Sequence, residues 1–469
     1  MKLIIMQEIK LFLGFGIAFL TTICISSCSK FTDRHADIYH PVAMPSNPVS
    51  DTAPLCGNIK GTMVSGKTYT LGCDVTVQAG DTLLIESGVH INATNGSGIL
   101  VNGILLSLGT KDKPNFMTVA GVTRTDQVGA PANTDPAYKG LWRGVIGGTG
   151  CTLIVLKWTH VDFGGAAAGA LIGPAMGIAS NKNTYSVYFQ NPAGSLIIED
   201  SWFYGSVDAP INVFGGKVAI LRNTFEKCGF TSGEAFSTKG GTIGDFAYNL
   251  CVGVATNAAQ ISNSGGTTIQ TNLRFYNNTI INCGWRRSQS GRGGSVNYEV
   301  GAAGKFYNNL IVNCKVGPRV VVSPPADTLN LEYGYNFKYG DSSLVTNQFY
   351  PVSYITKPQP TDIPIPATFL PANYTLGDKY DGTSLIGQNN PLFINAPVPL
   401  PAGFNLRDVC VVGNYNFALK PNSPCIGIGY TGFVPTGNIP IDPVYGITEL
   451  LQPGKDIGAY QINGAGNHH

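Results

Sequence analysis

A bulky apolar residue, two further positions, Asn or Asp, one position and another apolar residue recur five times in the middle of the chain. The phrase reads Ile197 to Trp202, Ile220 to Phe225, Phe246 to Cys251, Phe275 to Ile280 and Phe306 to Ile311. Its polar members Asp200, Asn223, Asn249, Asn278 and Asn309 lie 23, 26, 29 and 31 residues apart. A fixed phrase at a growing interval marks a solenoid whose coils lengthen by loop insertion. Side chains along a strand alternate between faces, so apolar residues five positions apart cannot both point inward unless the chain bends between them. Asn and Asp tolerate the left-handed backbone such a bend needs.

The pattern therefore predicts an all-β chain, a right-handed parallel β-helix. One coil climbs about 4.8 Å, the strand spacing, so Asp200, Asn223, Asn249, Asn278 and Asn309 are expected to form a ladder of side-chain hydrogen bonds. Phe246, Phe275 and Phe306 should stack inside, as should Phe225, Cys251, Ile280 and Ile311. Cys228, Cys283 and Cys314, five places beyond their Asn, read as a stack of small buried side chains. A solenoid of helix pairs would need long apolar runs of 3.6-residue period. Here Gly makes up 59 of 469 residues and charged residues only 12%.

Earlier in the chain, Val75 to Val77, Leu83 to Ile85, Val89 to Ile91 and Ile99 to Val101 are short alternating segments punctuated by Gly turns. Between Gly317 and Tyr380 the pattern loosens, with Pro324, Pro325, Pro351, Pro358, Pro360, Pro364, Pro366 and Pro371 breaking any regular ladder. The organisation expected is a signal over 1–27, a tether over 28–55, and a β-helix over 56–317. A Pro-rich capping excursion over 318–380, a closing segment over 381–462 and a tail over 463–469 complete it.

The first residues carry Lys2 and Lys10, then an apolar run from Leu11 to Ile25 that is short for a membrane span but suits a secretory signal. Ile25-Ser26-Ser27-Cys28 resembles the lipobox of bacterial lipoproteins, which implies lipid attachment at Cys28 and anchorage to a membrane without spanning it. Pro41, Pro45, Pro48 and Pro54 make the following stretch a tether. Export favours disulfides. Cys56 with Cys73, and Cys410 with Cys425, flank the first coil and the last ordered stretch and are expected to staple the two ends.

Tyr69, Leu71, Val75, Val77, Gly80, Leu83, Ile85 and Gly88, with Trp142 to Val145 and Leu153 to Val161, resemble the first coils of right-handed β-helix lipoproteins of Bacteroidetes-type bacteria. Those proteins belong to the pectate-lyase-like solenoid superfamily. Pro391 to Phe393, Asn416 to Pro424 and Asp456 to Tyr460 resemble that family's ending. The resemblance covers roughly Gly57 to Gln461 and implies an outer-membrane lipoprotein, displayed on the cell surface. It is specific for fold and weak for activity, since such proteins include lyases, binders and members of other kinds.

A polysaccharide lyase needs a base with positive charge near a developing enolate. The insertion from Gly284 to Gly294 stands out: Trp285, Arg286, Arg287 and Arg292 lie close together, followed by Tyr298 and Glu299. Arg forks bind carboxylates and sulfates, and aromatic rings stack on sugars; the alternative is a solvated Gly-rich loop. His160 and Asp162 share a strand face beside Lys157 and Trp158, a weaker pattern. His90 reads as structural, and Lys239, Asp245 and Lys305 as isolated charges. The chain shows no nucleophile elbow, phosphate loop or zinc-spaced Cys/His set. A net charge of +2 without a basic stripe speaks against nucleic acid. The expected function is a monomeric, lipid-anchored protein binding carbohydrate or another extracellular macromolecule, with no cofactor and no catalysis. The alternative is a lyase acting on an anionic glycan, the one reading that calls for calcium.

Overall fold

A computed structural model describes residues 42–125, 134–289, 292–321, 323–349, 385–396, 398 and 412–469. The signal, Cys28, Cys410 and most of the Pro-rich excursion lie outside these residues. The described chain is a parallel β-helix with three strands in each regular coil. The first sheet has ten strands, from Gly61–Met63 to Leu331–Gly334. The second runs through Thr159–Gly164, Trp202–Ser206 and Thr224–Cys228 to Phe337–Tyr339, and the third through Val187–Phe189, Ile211–Phe214 and Phe236–Lys239 to Arg319–Val320. The long strand Thr68–Val77 pairs in both the second and the third, which joins them at the N-terminal end.

Register is strict, because slipping a strand by one residue would turn its apolar set outward. Ile198, Ile220, Phe246, Phe275, Phe306 and Tyr333 occupy equivalent places on successive coils. The Phe246 and Phe275 rings stack at 5.0 Å, as do Phe306 and Tyr333. Phe225, Cys251, Ile280 and Ile311 form the neighbouring interior column, as expected. Cys228, Cys283 and Cys314 are buried free thiols in the core.

The ladder is real, but its first amide rung is Asn223, not Asp200. Asn223 Nδ2 donates to Asn249 Oδ1 at 3.1 Å, Asn249 to Asn278 at 3.1 Å, Asn278 to Asn309 at 2.9 Å, and Asn309 to a further rung, Asn336, at 2.8 Å. Each Oδ1 also accepts the backbone N–H of the rung before it. The residue beneath Asn223 is Ser201, whose N–H donates to Asn223 Oδ1 at 2.9 Å. Asp200 is therefore not a rung. It aligns with Arg222, and both take the left-handed backbone, φ 49° and 56°. The bend thus falls on the residue before each rung, as again at Tyr248, Asn277, Asn308 and Tyr335.

Two further expectations change. The coils continue past Gly317, since Leu331–Gly334 and Phe337–Tyr339 pair in register with the strands before them. The segment 412–469 adds no coil; it runs back along the outside of the solenoid. Phe393, Phe417, Leu419 and Ile457 cover Leu250, Leu310 and Phe337, the outward apolar residues of the second sheet. Beyond them, Tyr276 OH donates to Leu451 O at 2.8 Å and Asn467 Nδ2 to the carbonyls of Asn223 and Tyr248. Cys56 and Cys73 form the expected disulfide, with Cα atoms 5.0 Å apart. Cys425 is a buried free thiol, and its expected partner Cys410 lies outside the described residues. At the N-terminal end, Val49 N donates to Thr62 O and Thr62 N to Asn47 O, which blunts the exposed edge of the first sheet.

Candidate functional site

With the C-terminal segment over the first and second sheets, the third sheet offers the open outer face. In its earlier coils the helix Gly169–Met176 covers that face, packing Ile172 and Met176 on Leu100, Ile146 and Tyr188. Past the helix the outward positions turn polar. Asn212, Ser237, Gln260, Asn297 and Arg319 follow one another coil by coil. This row is the floor of a groove of about 210 Å³ walled by the loops entering the third sheet. Closed small-molecule sites run to roughly 300–1,000 Å³, so the groove suits part of an extended molecule rather than a whole enclosed ligand.

The loops entering successive strands of this sheet bring Tyr185, Asp208, Glu234, Arg287 and Arg292 into the lining. Ile211 pairs with Phe236, so Gly233 falls opposite Asp208, and Glu234 comes next. A Cβ at Gly233 would stand 2.5 Å from the Asp208 backbone, and its φ is 106°. Glycine is thus what lets these two loops touch. Burial, and after it the charge of Asp208, push the Glu234 carboxyl above the usual carboxylate range; a hydrogen bond from Thr256 and the charge of Lys239 pull it part of the way back. Thr256 Oγ1 donates to Glu234 Oε1 at 3.0 Å. Burial, then the charge of Asp208, also raise the Tyr185 phenol, to about 12.

Two polar atoms in the lining have no partner. Asn257 Oδ1 and Asn297 Oδ1 are buried acceptors without a hydrogen bond, on side chains 4% and 1% exposed. A buried acceptor left unmade costs about 1–3 kcal/mol, which a ligand hydroxyl would recover.

The arginine-rich insertion divides. Arg287 and Arg292 line the groove. Lys315 holds their loop by donating to the Arg287 and Gln289 carbonyls. Arg286 turns the other way: it donates to the carbonyls of Cys228, Gly229, Phe230 and Gly253 and lies over the Tyr138 ring. Trp285 is buried, its indole donating to Asn313 O at 2.7 Å. Both are structural. Glu299 sits beside the floor, each carboxylate oxygen taken at 2.7 Å, by Gln260 and by Asn297.

The other candidates are structural as well. His160 is stacked between Phe116 and Trp202, with Arg124 bridging its Nδ1 and Asp162. Burial, helped by Arg124, drives His160 down to about 3, so it stays neutral. His90 stacks on Phe116. Lys157 pairs with Glu199 at 3.2 Å, Lys305 with Glu332, and Asp245 accepts from Thr436. Lys239 alone of the isolated charges lines the groove.

A larger hollow, about 560 Å³, lies between Tyr248 and the C-terminal segment. Its two carboxylates are already engaged: Glu449 pairs with Arg222, and Asp456 accepts from Gly427 and Ile462. Among the described residues, no group of three or more His, Cys, Asp or Glu could hold a metal ion. Compared with protein-family models, curated proteins and solved structures, the chain returns no match.

Proposed function

We propose that this protein binds an extended, acidic carbohydrate along the polar face of its third sheet, with the chain anchored to the cell envelope through lipid on Cys28. One observation carries the binding reading. Lys239, Arg287, Arg292 and Arg319, four cations, line the same groove as two carboxylates, Asp208 and Glu234, and two unpartnered buried amide oxygens. Arginine forks suit carboxylate and sulfate groups, and amide oxygens suit sugar hydroxyls. The envelope location rests on the lipobox-like residues and on the resemblance to surface β-helix lipoproteins.

Direct titration of the full chain in detergent with polygalacturonate, alginate and chondroitin sulfate tests the reading. Binding that falls about tenfold in Arg292→Ala, and falls again with added salt, supports it. No binding to any of the three removes it. A lyase reading draws on Lys239, a base candidate in the same lining. It requires an unsaturated uronate product, seen by its ultraviolet absorbance.

A further inference from the structure

We propose, building on the binding groove just described, that the groove hydrolyses a glycosidic bond, with Glu234 as proton donor and Asp208 as the carboxylate that accepts a proton from the attacking water. The pair lines the groove from adjacent loops brought into contact at Gly233. Thr256 fixes one oxygen of Glu234. Asp208 Oδ1 accepts from the N–H of Ala209 at 2.9 Å, which orients that carboxylate from its own loop. Hydrolysis needs two carboxyl groups in unlike states, one protonated and one ionised. Burial and the charge of Asp208 raise the Glu234 carboxyl, the direction a proton donor needs.

The step balances with water alone. The bond between the anomeric carbon and the leaving oxygen breaks, and that oxygen takes the Glu234 proton. The water oxygen bonds to the anomeric carbon and gives its proton to Asp208; solvent then returns a proton from Asp208 to Glu234. Asn257 Oδ1 and Asn297 Oδ1 accept hydroxyls of the bound sugar, while Arg287 and Arg292 hold acidic groups on its neighbours.

Incubating the full chain with polygalacturonate, alginate and chondroitin sulfate, while following reducing ends and the absorbance of unsaturated uronate, tests the inference. The expected result is new reducing ends from at least one polymer, without that absorbance. Glu234→Gln and Asp208→Asn should each slow release at least ~100-fold with the melting temperature unchanged. The rate should fall as pH rises through the Glu234 titration. New ends accompanied by the absorbance would overturn the inference in favour of elimination. Binding without cleavage would overturn it while leaving the binding function standing, and absence of binding would remove both.

Discussion

Asp200 and Arg222 stand at the same point on successive coils, and their side chains meet in two contacts, Nε to Oδ1 at 2.7 Å and Nη2 to Oδ2 at 2.8 Å. The guanidinium also reaches Glu449 of the C-terminal segment at 3.0 Å. Removing one partner of a buried pair leaves a charge uncompensated, at a cost of about 3–5 kcal/mol. Arg222→Asn keeps a residue that tolerates the left-handed backbone, so it isolates the charge. A drop of about 3 kcal/mol in urea unfolding is expected; a drop below about 1 kcal/mol would show that the pair does not hold the coils.

The ladder predicts a graded series. In Asn278→Ala, the N–H of Asn249 and the carbonyl of Phe246 lose their partners. The loss should come to about 2–4 kcal/mol. Asn336→Ala, at the last rung, strips the partners of Asn309 and Phe306, and its cost should be smaller because fewer coils lie beyond it. Equal costs at both rungs, measured by denaturation, would contradict nearest-neighbour stacking.

Arg286 and Arg292 should separate stability from binding. Arg286→Ala frees four turn carbonyls and should lower the melting temperature by several degrees with little change in affinity for an acidic polysaccharide. Arg292→Ala should do the reverse. Calorimetry and titration on the same two variants decide this.

Asp245 ties the C-terminal segment to the first sheet through Thr436, and burial raises its pKa from 3.8 to about 6, against the pull of the Thr436 hydrogen bonds and of Arg274. Between those values the folded chain keeps a proton that the unfolded chain has released. Stability from this group is therefore greatest below about pH 4 and is lost as pH rises through about 6. The full effect is on the order of 2–3 kcal/mol. Wild type should gain most of it over Asp245→Asn as pH falls from about 7 to 4. A constant difference between the two across that range would refute the assignment.

The coil architecture was legible because stacking forces one apolar and one amide position to recur on every turn. The first rung was misplaced because Asp200 and Ser201 are both polar and only the backbone register tells them apart. The arginine loop was visible, but not which of Arg286 and Arg292 faces outward, since that depends on the carbonyls of a turn more than 50 residues earlier in the chain. Asp208 and Glu234 went unread for a related reason. The loops leading into the third sheet differ in length, so counting from the ladder does not bring these residues into phase. Tyr276, Asp245 and Lys157 likewise gave no sign that a distant segment would cover them.

The final residues lie against early coils: the His468 ring stacks over Trp158 at 6.1 Å, and Asn467 bonds to the coil of Asn223. The ribosome makes Trp158 some three hundred residues before the piece that shelters it. Winding can begin during synthesis, but the flank of the first sheet stays bare until residues 412–469 have been made. A chain stopped short of that segment would thus be a wound solenoid with an unclothed side, and its protection from proteases arrives only with the segment that folds back.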